Sequence, residues 1–424
     1  MPMSTDFETR LNPILEDIAT HFGTPFHIYD ETGLKETGAR LKHLFSKLPG
    51  FKEYFAVKAL PNPRILQIMR EMGFGFDCSS IPELALSRQI GARGEELMFT
   101  SNNTSTEEFL AAESDGGCIL NLDDLTLISK VPRMPELISI RYNPGERRTG
   151  NTIIGKPVES KYGVSHDQLP LAFRQARDRG AKRFAMHTML ASNERNYKYM
   201  VETARMLLDV VGSVGNELAI QFEFINIGGG LGIPYHPDDA PLDLDAMATE
   251  ITALFSAFEK QNGYLPRLYM ESGRYMAGPH GVLITRAINR KEIYRTYVGV
   301  DASMSALMRP GIYGAYHHIT IPGKIADQNT ETVDVVGCLC ENNDKFAIQR
   351  QLPAIVDGDL VCIHDTGAHG HSMGFNYNGR LRPQELLLME DGSVKRIRRA
   401  ETLTDYLATL DFSEDRFAPK TQIR

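Results

Sequence analysis

Tyr54-Phe55-Ala56-Val57-Lys58-Ala59 is the stretch whose reading decides the fold. Its apolar, β-prone core predicts a short buried strand. Pro61 and Pro63 follow at once, so the strand cannot run simply into a helix. It therefore ends on a lysine. An ammonium at the end of a buried strand must be paired, solvated in a cleft, neutralised or covalently used. A lysine snorkelling out of the strand end satisfies the pattern. So does one whose burial lowers its pKa and readies it to condense with an aldehyde.

Outward from this stretch, strands are expected at 74–78, 97–100, 119–122, 137–142, 183–187, 222–227 and 267–271. Helical spacing falls between them, at 64–72, 82–90, 106–113, 124–130, 169–179, 197–211 and 245–261. Strand–helix alternation favours a parallel sheet of the α/β class. Eight such strands over about 250 residues match one (β/α)8 TIM-type barrel. An open doubly wound sheet fits the alternation alone. Towards the N-terminus, 26–29 reads as a strand and 31–48 as a helix carrying Leu34, Leu41, Phe45 and Leu48. After Gly281 the texture turns to β-like runs at 282–288, 292–300, 317–321, 332–336 and 360–364. The expected division is a barrel over 30–275 and a mainly β domain, sandwich or barrel-like, over 276–424, which residues 1–29 join.

A chain of 424 residues is long enough for two cores. A net charge of -8 argues against a nucleic-acid or anionic-membrane surface. No apolar run approaches a membrane span, and Met1-Pro2-Met3-Ser4-Thr5-Asp6 lacks a basic-then-apolar leader, so the cytoplasm is expected. The five cysteines are scattered, which disfavours a disulfide framework. Cys338 and Cys340 have no second pair, so no metal site is expected.

In a barrel, catalytic groups sit at the C-terminal ends of the strands. Those ends carry Lys58, Asp77, Asn143, His187, Gly228-Gly229-Gly230 and Glu271. Pyridoxal phosphate is the common protein-bound aldehyde, and it needs a phosphate cradle, an acid at the ring nitrogen and a stacking group. The glycines allow close backbone approach to a phosphate, although a tight turn explains them equally. Ser272-Gly273-Arg274 adds a hydroxyl, another close approach and a cation. Glu271 can keep the pyridine nitrogen protonated, or simply pair with Arg274. His187 can stack on the ring, or be an ordinary structural histidine. Cys340-Glu341 reads as a thiol proton donor with a carboxylate for an amine, or as a turn with buried cysteines.

Taken in this order over nearly the whole chain, these pieces resemble the alanine-racemase-fold (fold type III) pyridoxal-phosphate decarboxylases, most closely diaminopimelate decarboxylase. Further pieces carry the likeness: Phe76-Asp77-Cys78-Ser79-Ser80 with Glu83, Ser160-Lys161-Tyr162-Gly163, and Leu307-Met308-Arg309-Pro310 with Tyr313. Asp344, Gly367-Ala368 and Asn376-Tyr377-Asn378 complete it. The resemblance implies a homodimer with shared active sites and decarboxylation of an amino acid, meso-diaminopimelate above others. It implies that Lys58 holds the cofactor, and that Asp77, His187, Gly229, Gly230, Glu271, Gly273, Arg274 and His369 surround it. Arg274, Arg309, Tyr313, Glu341 and His369 would bind substrate. Cys340 and Glu341 would enter from the second subunit, Cys340 as proton donor. A racemase would need a second base opposite Lys58 and leaves Cys340-Glu341 without a role. A non-catalytic pyridoxal-phosphate protein would leave the β domain unexplained.

Three departures stand out. The family's His-x-Gly-Ser is His187-Thr188-Met189-Leu190 here, which removes a phosphate serine unless Ser192 replaces it. Its Gly-Ala-Tyr is Gly367-Ala368-His369, and its Glu-Pro-Gly-Arg is Glu271-Ser272-Gly273-Arg274. The shorter His369 would leave room beside the phosphate, and could become cationic there. A related decarboxylase acting on another amino acid, or on a biosynthetic intermediate that carries one, is the alternative.

Overall fold

Eight parallel strands close on themselves in sequence order: Lys52–Ala56, Gly75–Cys78, Leu97–Phe99, Ile119–Leu122, Leu137–Arg141, Arg183–His187, Phe222–Asn226 and Arg267–Met270. The structure is a computed structural model that describes residues 3–151, 153–324, 329–411 and 413. Strand side chains alternate with period two, so every second residue faces the lumen. Tyr54, Met98, Ile119, Leu137, Ala185, Phe224 and Tyr269 fill one level with a single apolar cluster. The Phe224 and Tyr269 rings stack there with centroids 4.2 Å apart. Two residues further along, the same faces carry Ala56, Thr100, Asn121, Ser139, His187, Asn226 and Glu271, with Asp77 two beyond Gly75. The lumen is therefore apolar below and polar at the C-terminal mouth. At the opposite end Arg183 bridges Glu95 at 2.5 Å and Glu223 at 2.6 Å, closing the bottom with charge.

The remaining strands form one nine-stranded sheet. The twelve-residue strand Gly281–Glu292 is its spine, antiparallel to Phe26–Asp30, Thr296–Val300 and Leu360–Ile363. Phe26–Asp30 also runs parallel to Gln384–Leu388, so the N-terminal strand is stitched into the C-terminal sheet.

Some elements differ from expectation. The first barrel strand stops at Ala56, and Val57–Ala59 is a single 3-10 turn, so Lys58 sits just beyond the strand. The expected helix at 124–130 is one turn, Leu127–Lys130. Tyr197–Leu218 runs two turns longer than expected and ends on Ala219 in the left-handed region. Helices Thr5–Leu11 and Leu15–Phe22 and strands Lys345–Pro353, Gln384–Leu388 and Val394–Arg398 were not read from the sequence. Met1, Pro2 and residues 414–424 lie outside the described residues. Among the described residues no helix is long and apolar enough to cross a membrane.

Candidate active site

The polar mouth is built around Lys58. Its side chain is 51% exposed, into the barrel mouth, and its Nζ lies 3.6 Å from Asp77 Oδ2. Burial alone would draw its pKa down, but Asp77, Glu271 and Glu83 outweigh burial and raise it above the ordinary lysine value. The lowering expected of a desolvated strand-end lysine is therefore corrected: this amine is surrounded by carboxyls. Burial and the Glu271 charge push Asp77 up to about 7, with Lys58 opposing them.

Glu271 follows the eighth strand. Its Oε1 accepts from Asn226 Nδ2 at 2.6 Å, and its Oε2 lies 3.2 Å from His187 Nε2. Burial would raise its pKa, yet His187, Lys58 and the Asn226 amide outweigh it and keep it below the ordinary glutamate value. The alternative pairing of Glu271 with Arg274 does not form. Asn226 also accepts the Gly228 N–H at 2.9 Å, so one side chain ties the acid to the glycine turn.

Gly229 has no room for a side chain: a Cβ there would stand 2.2 Å from the Glu271 carbonyl oxygen. The glycines thus serve tight packing between strand ends. The Gly229 N–H meets Met189 Sδ at 3.2 Å, a weak acceptor. Ser192 is half-buried, and its N–H goes to Asn151 Oδ1. Asn143 is spent on its own loop, donating to the carbonyls of Pro157 and Tyr162 and accepting from the Gly145 N–H.

A second cluster lies alongside. The Tyr235 hydroxyl accepts from Arg274 Nη1 and, at 2.8 Å, from Arg309 Nη1. Arg309 is 8% exposed, its guanidinium 4.7 Å from the Tyr235 ring centre. Burial lowers its pKa, and Arg274 lowers it further. Its other partner is His317 Nε2 at 3.0 Å, whose Nδ1 donates to the His364 carbonyl at 2.8 Å. Burial and Arg309 hold His317 neutral, down at about 3. Among the described residues neither Arg274 nor Arg309 has a carboxylate in an ion pair. Tyr235 was missed in the sequence: an aromatic five residues after the glycines has no period or motif to mark it. Glu53 and Arg141 were missed likewise, as strand residues indistinguishable from core. Asn226 stands in the run Asn226-Ile227-Gly228-Gly229-Gly230 that shares the likeness, but its hydrogen bond to Glu271 is not legible there.

His369 faces the same cations, its φ is +58°, and its N–H donates to the Ala59 carbonyl at 2.9 Å. Burial, Arg274, Arg309 and Lys58 hold it well below the ordinary histidine value, so the protein itself keeps it neutral. Tyr313, in the short helix Arg309–Tyr313, is 63% exposed. Cys340 is also exposed, so the buried-turn reading fails for it; Cys338 is half-buried. The Cys340 N–H is held by Asn378 Oδ1 at 2.7 Å, and Asp344 accepts from Leu339 and Met304. No described bond joins Tyr313, Cys340 or Glu341 to the Lys58 cluster within the chain.

A family model described as "pyridoxal-dependent decarboxylase, pyridoxal binding domain" matches residues 34–278. The chain belongs to this family. Protein TabA of Pseudomonas amygdali pv. tabaci is 48% identical over 414 residues, covering 97% of each chain. The diaminopimelate decarboxylase of Methanothermobacter thermautotrophicus is 36% identical over 398 residues, covering 92% of each. A crystal structure of diaminopimelate decarboxylase from M. jannaschii in co-complex with L-lysine superimposes with a TM-score of 0.85, at 28% identity, covering 92% of this chain and 93% of that one. The protein is thus a pyridoxal-phosphate-dependent decarboxylase with the barrel-plus-β architecture. Membership of a decarboxylase family sets aside the racemase and the non-catalytic readings. The mouth fits the cofactor on its own terms. It offers an amine, an ionised carboxylate beside a histidine, and two buried polar atoms without a protein partner, Asp77 Oδ1 and His187 Nδ1.

Proposed function

We propose that this decarboxylase acts on an amino acid bearing a second, distal carboxylate, and that meso-diaminopimelate, converted to L-lysine and CO2 in the cytoplasm, is the substrate the site supports best. The observation that carries this is the Arg274–Tyr235–Arg309 cluster. A buried guanidinium without a counter-ion is costly, and a guanidinium fork matches a carboxylate. A diamine precursor such as ornithine would want an acid there.

Lys58 would hold the cofactor through its amine. Gly229, Gly230, Gly273 and Arg274 would surround the phosphate, and His187 would lie against the ring. Glu271, kept ionised by His187 and Asn226, would hold a proton on the pyridine nitrogen. When bound, pyridoxal phosphate supplies the electron sink for the pair released as CO2 leaves. Asp77 keeps Lys58 close to a proton acceptor. In a homodimer, residues 276–424 with 1–29 would bring Tyr313 and the exposed Cys340-Glu341 segment to the mouth of the other barrel, residues 30–275. There Cys340 of the partner subunit would deliver a proton as general acid, and Glu341 of the partner subunit would bind the distal amine.

A second reading keeps the chemistry and changes the substrate to another amino acid or an intermediate carrying one. It is favoured by neutral His369 and by Met189 beside Gly229, both at positions where the family differs. The test is kcat/KM for meso-diaminopimelate, lysine, ornithine and arginine in wild type and His369→Tyr. Diaminopimelate is expected to be preferred by ~10^2-fold or more, the scale of an unpaired buried charge. If wild type ignores it and His369→Tyr does not rescue it, the distal-carboxylate reading is wrong.

A further inference from the structure

Glu53 has no part in the chemistry above, yet it is 1% exposed on the first barrel strand, in register with Met270, the last residue of the eighth. Its carboxyl accepts the N–H of Ser272. Ser272 stands between Glu271 and Gly273-Arg274, and is itself buried. A Cβ on Gly273 would stand 2.6 Å from the Ala59 Cβ, so this loop is pressed against the turn that carries Lys58. A movement at Ser272 would displace the acid, the arginine and the lysine turn together.

An apolar residue at 53 would leave the Ser272 N–H buried with no acceptor, an arrangement proteins avoid. A buried acid is tolerated when it is hydrogen-bonded and uncharged. Burial raises the Glu53 carboxyl well above the ordinary range, the Ser272 N–H opposing and the Glu271 and Asp77 charges adding to the rise.

Resting on the site proposed above, we infer that Glu53 is a positioning residue: its buried carboxyl grips the Ser272 N–H and so fixes Glu271 and Arg274 for the cofactor, residues 53 and 272 acting as one unit. The two positions can be separated chemically. Proline at 272 has no N–H to satisfy, and the Ser272 φ of -85° lies close to proline's.

The test is titration of cofactor-free protein with pyridoxal phosphate, followed by visible absorbance, alongside the thermal midpoint of the cofactor-free protein and the kcat and KM of the loaded enzyme. Glu53→Gln keeps a carbonyl acceptor and should bind within about threefold of wild type. Glu53→Leu should bind roughly tenfold more weakly or worse, with kcat falling more than KM rises. Glu53→Leu with Ser272→Pro should recover to within about threefold of wild type. If Glu53→Leu fails to fold, Ser272→Pro alone carries the test: it leaves the acid without its donor, should bind more weakly, and should be repaired by leucine at 53. Wild-type affinity in Glu53→Leu, a loss that Ser272→Pro leaves unrepaired, or a lowered thermal midpoint with unchanged affinity would each overturn the inference. Wild type that binds no pyridoxal phosphate at this lysine would instead overturn the site it rests on.

Discussion

Tyr235 accepts from two guanidiniums with one oxygen, which uses both lone pairs and leaves its proton for an incoming anion. Among the described residues no acceptor takes that proton. Tyr235→Phe should therefore lower kcat/KM for a dicarboxylic substrate by about 10- to 100-fold, the worth of a hydrogen bond to a charged group. It should leave lysine turnover unchanged, and an equal loss on both substrates would show that the ring only packs. Lys58, Asp77, His187 and Glu271 were legible in the sequence because each ends or nearly ends an apolar run, where a barrel places its chemistry. The environment of Lys58 was not. The strand end left a paired, solvated or desolvated amine open, because the carboxyls that raise its pKa come from other segments of the chain.

The loop after Lys58 is held from behind by the second sheet. Arg398 donates to the Pro61 carbonyl and to Glu385, and Asn62 and Tyr29 donate to Glu385 as well. Burial would raise the Glu385 pKa, but His371, Arg398 and the Tyr29 hydroxyl hold it at about 2, against an ordinary 4.5. Its folded pKa is depressed, so its stabilisation is fully present above about 4.5 and is lost as the pH falls towards 2. The shift is worth on the order of 3 kcal/mol. Unfolding midpoints of wild type should fall more steeply between these pH values than those of Glu385→Gln, and parallel slopes would remove Glu385 as the cause. This seam also shows what the sequence hid. The barrel strands are apolar runs flanked by helices and could be counted. Val394–Arg398 reads VKRIR, mostly charged and nowhere fully buried, and becomes a strand only because Gln384–Leu388 offers it an edge. The N-terminal helices were likewise passed over, although Phe7, Leu11, Leu15 and Ile18 bury against strands from the far end of the chain.

At the scale of the whole molecule, the proposed site is divided. Lys58 lies in the barrel mouth, while Tyr313 and Cys340 are exposed on the β domain with no described bond to it. Cys340→Ala should slow turnover by ~10^2–10^4-fold while cofactor binding holds, as for a positioned general acid. Mixing Lys58→Ala with Cys340→Ala protein should restore activity, because each hybrid dimer regains one complete site. No recovery in a preparation shown by native mass spectrometry to exchange subunits would place the site within one chain. The α/β class and the order of the eight strands were readable from alternation, and their number and the length they span favoured a barrel over the open doubly wound sheet that alternation alone also fits. The exposure of Tyr313 and Cys340 was not readable, since burial depends on packing from the whole chain. All of this turns on one amine, and the most direct measurement is to reduce the loaded enzyme with borohydride, digest it and map the labelled peptide. The label is predicted on Lys58, at the mouth between Asp77 and Glu271; a label on any other lysine would contradict the account.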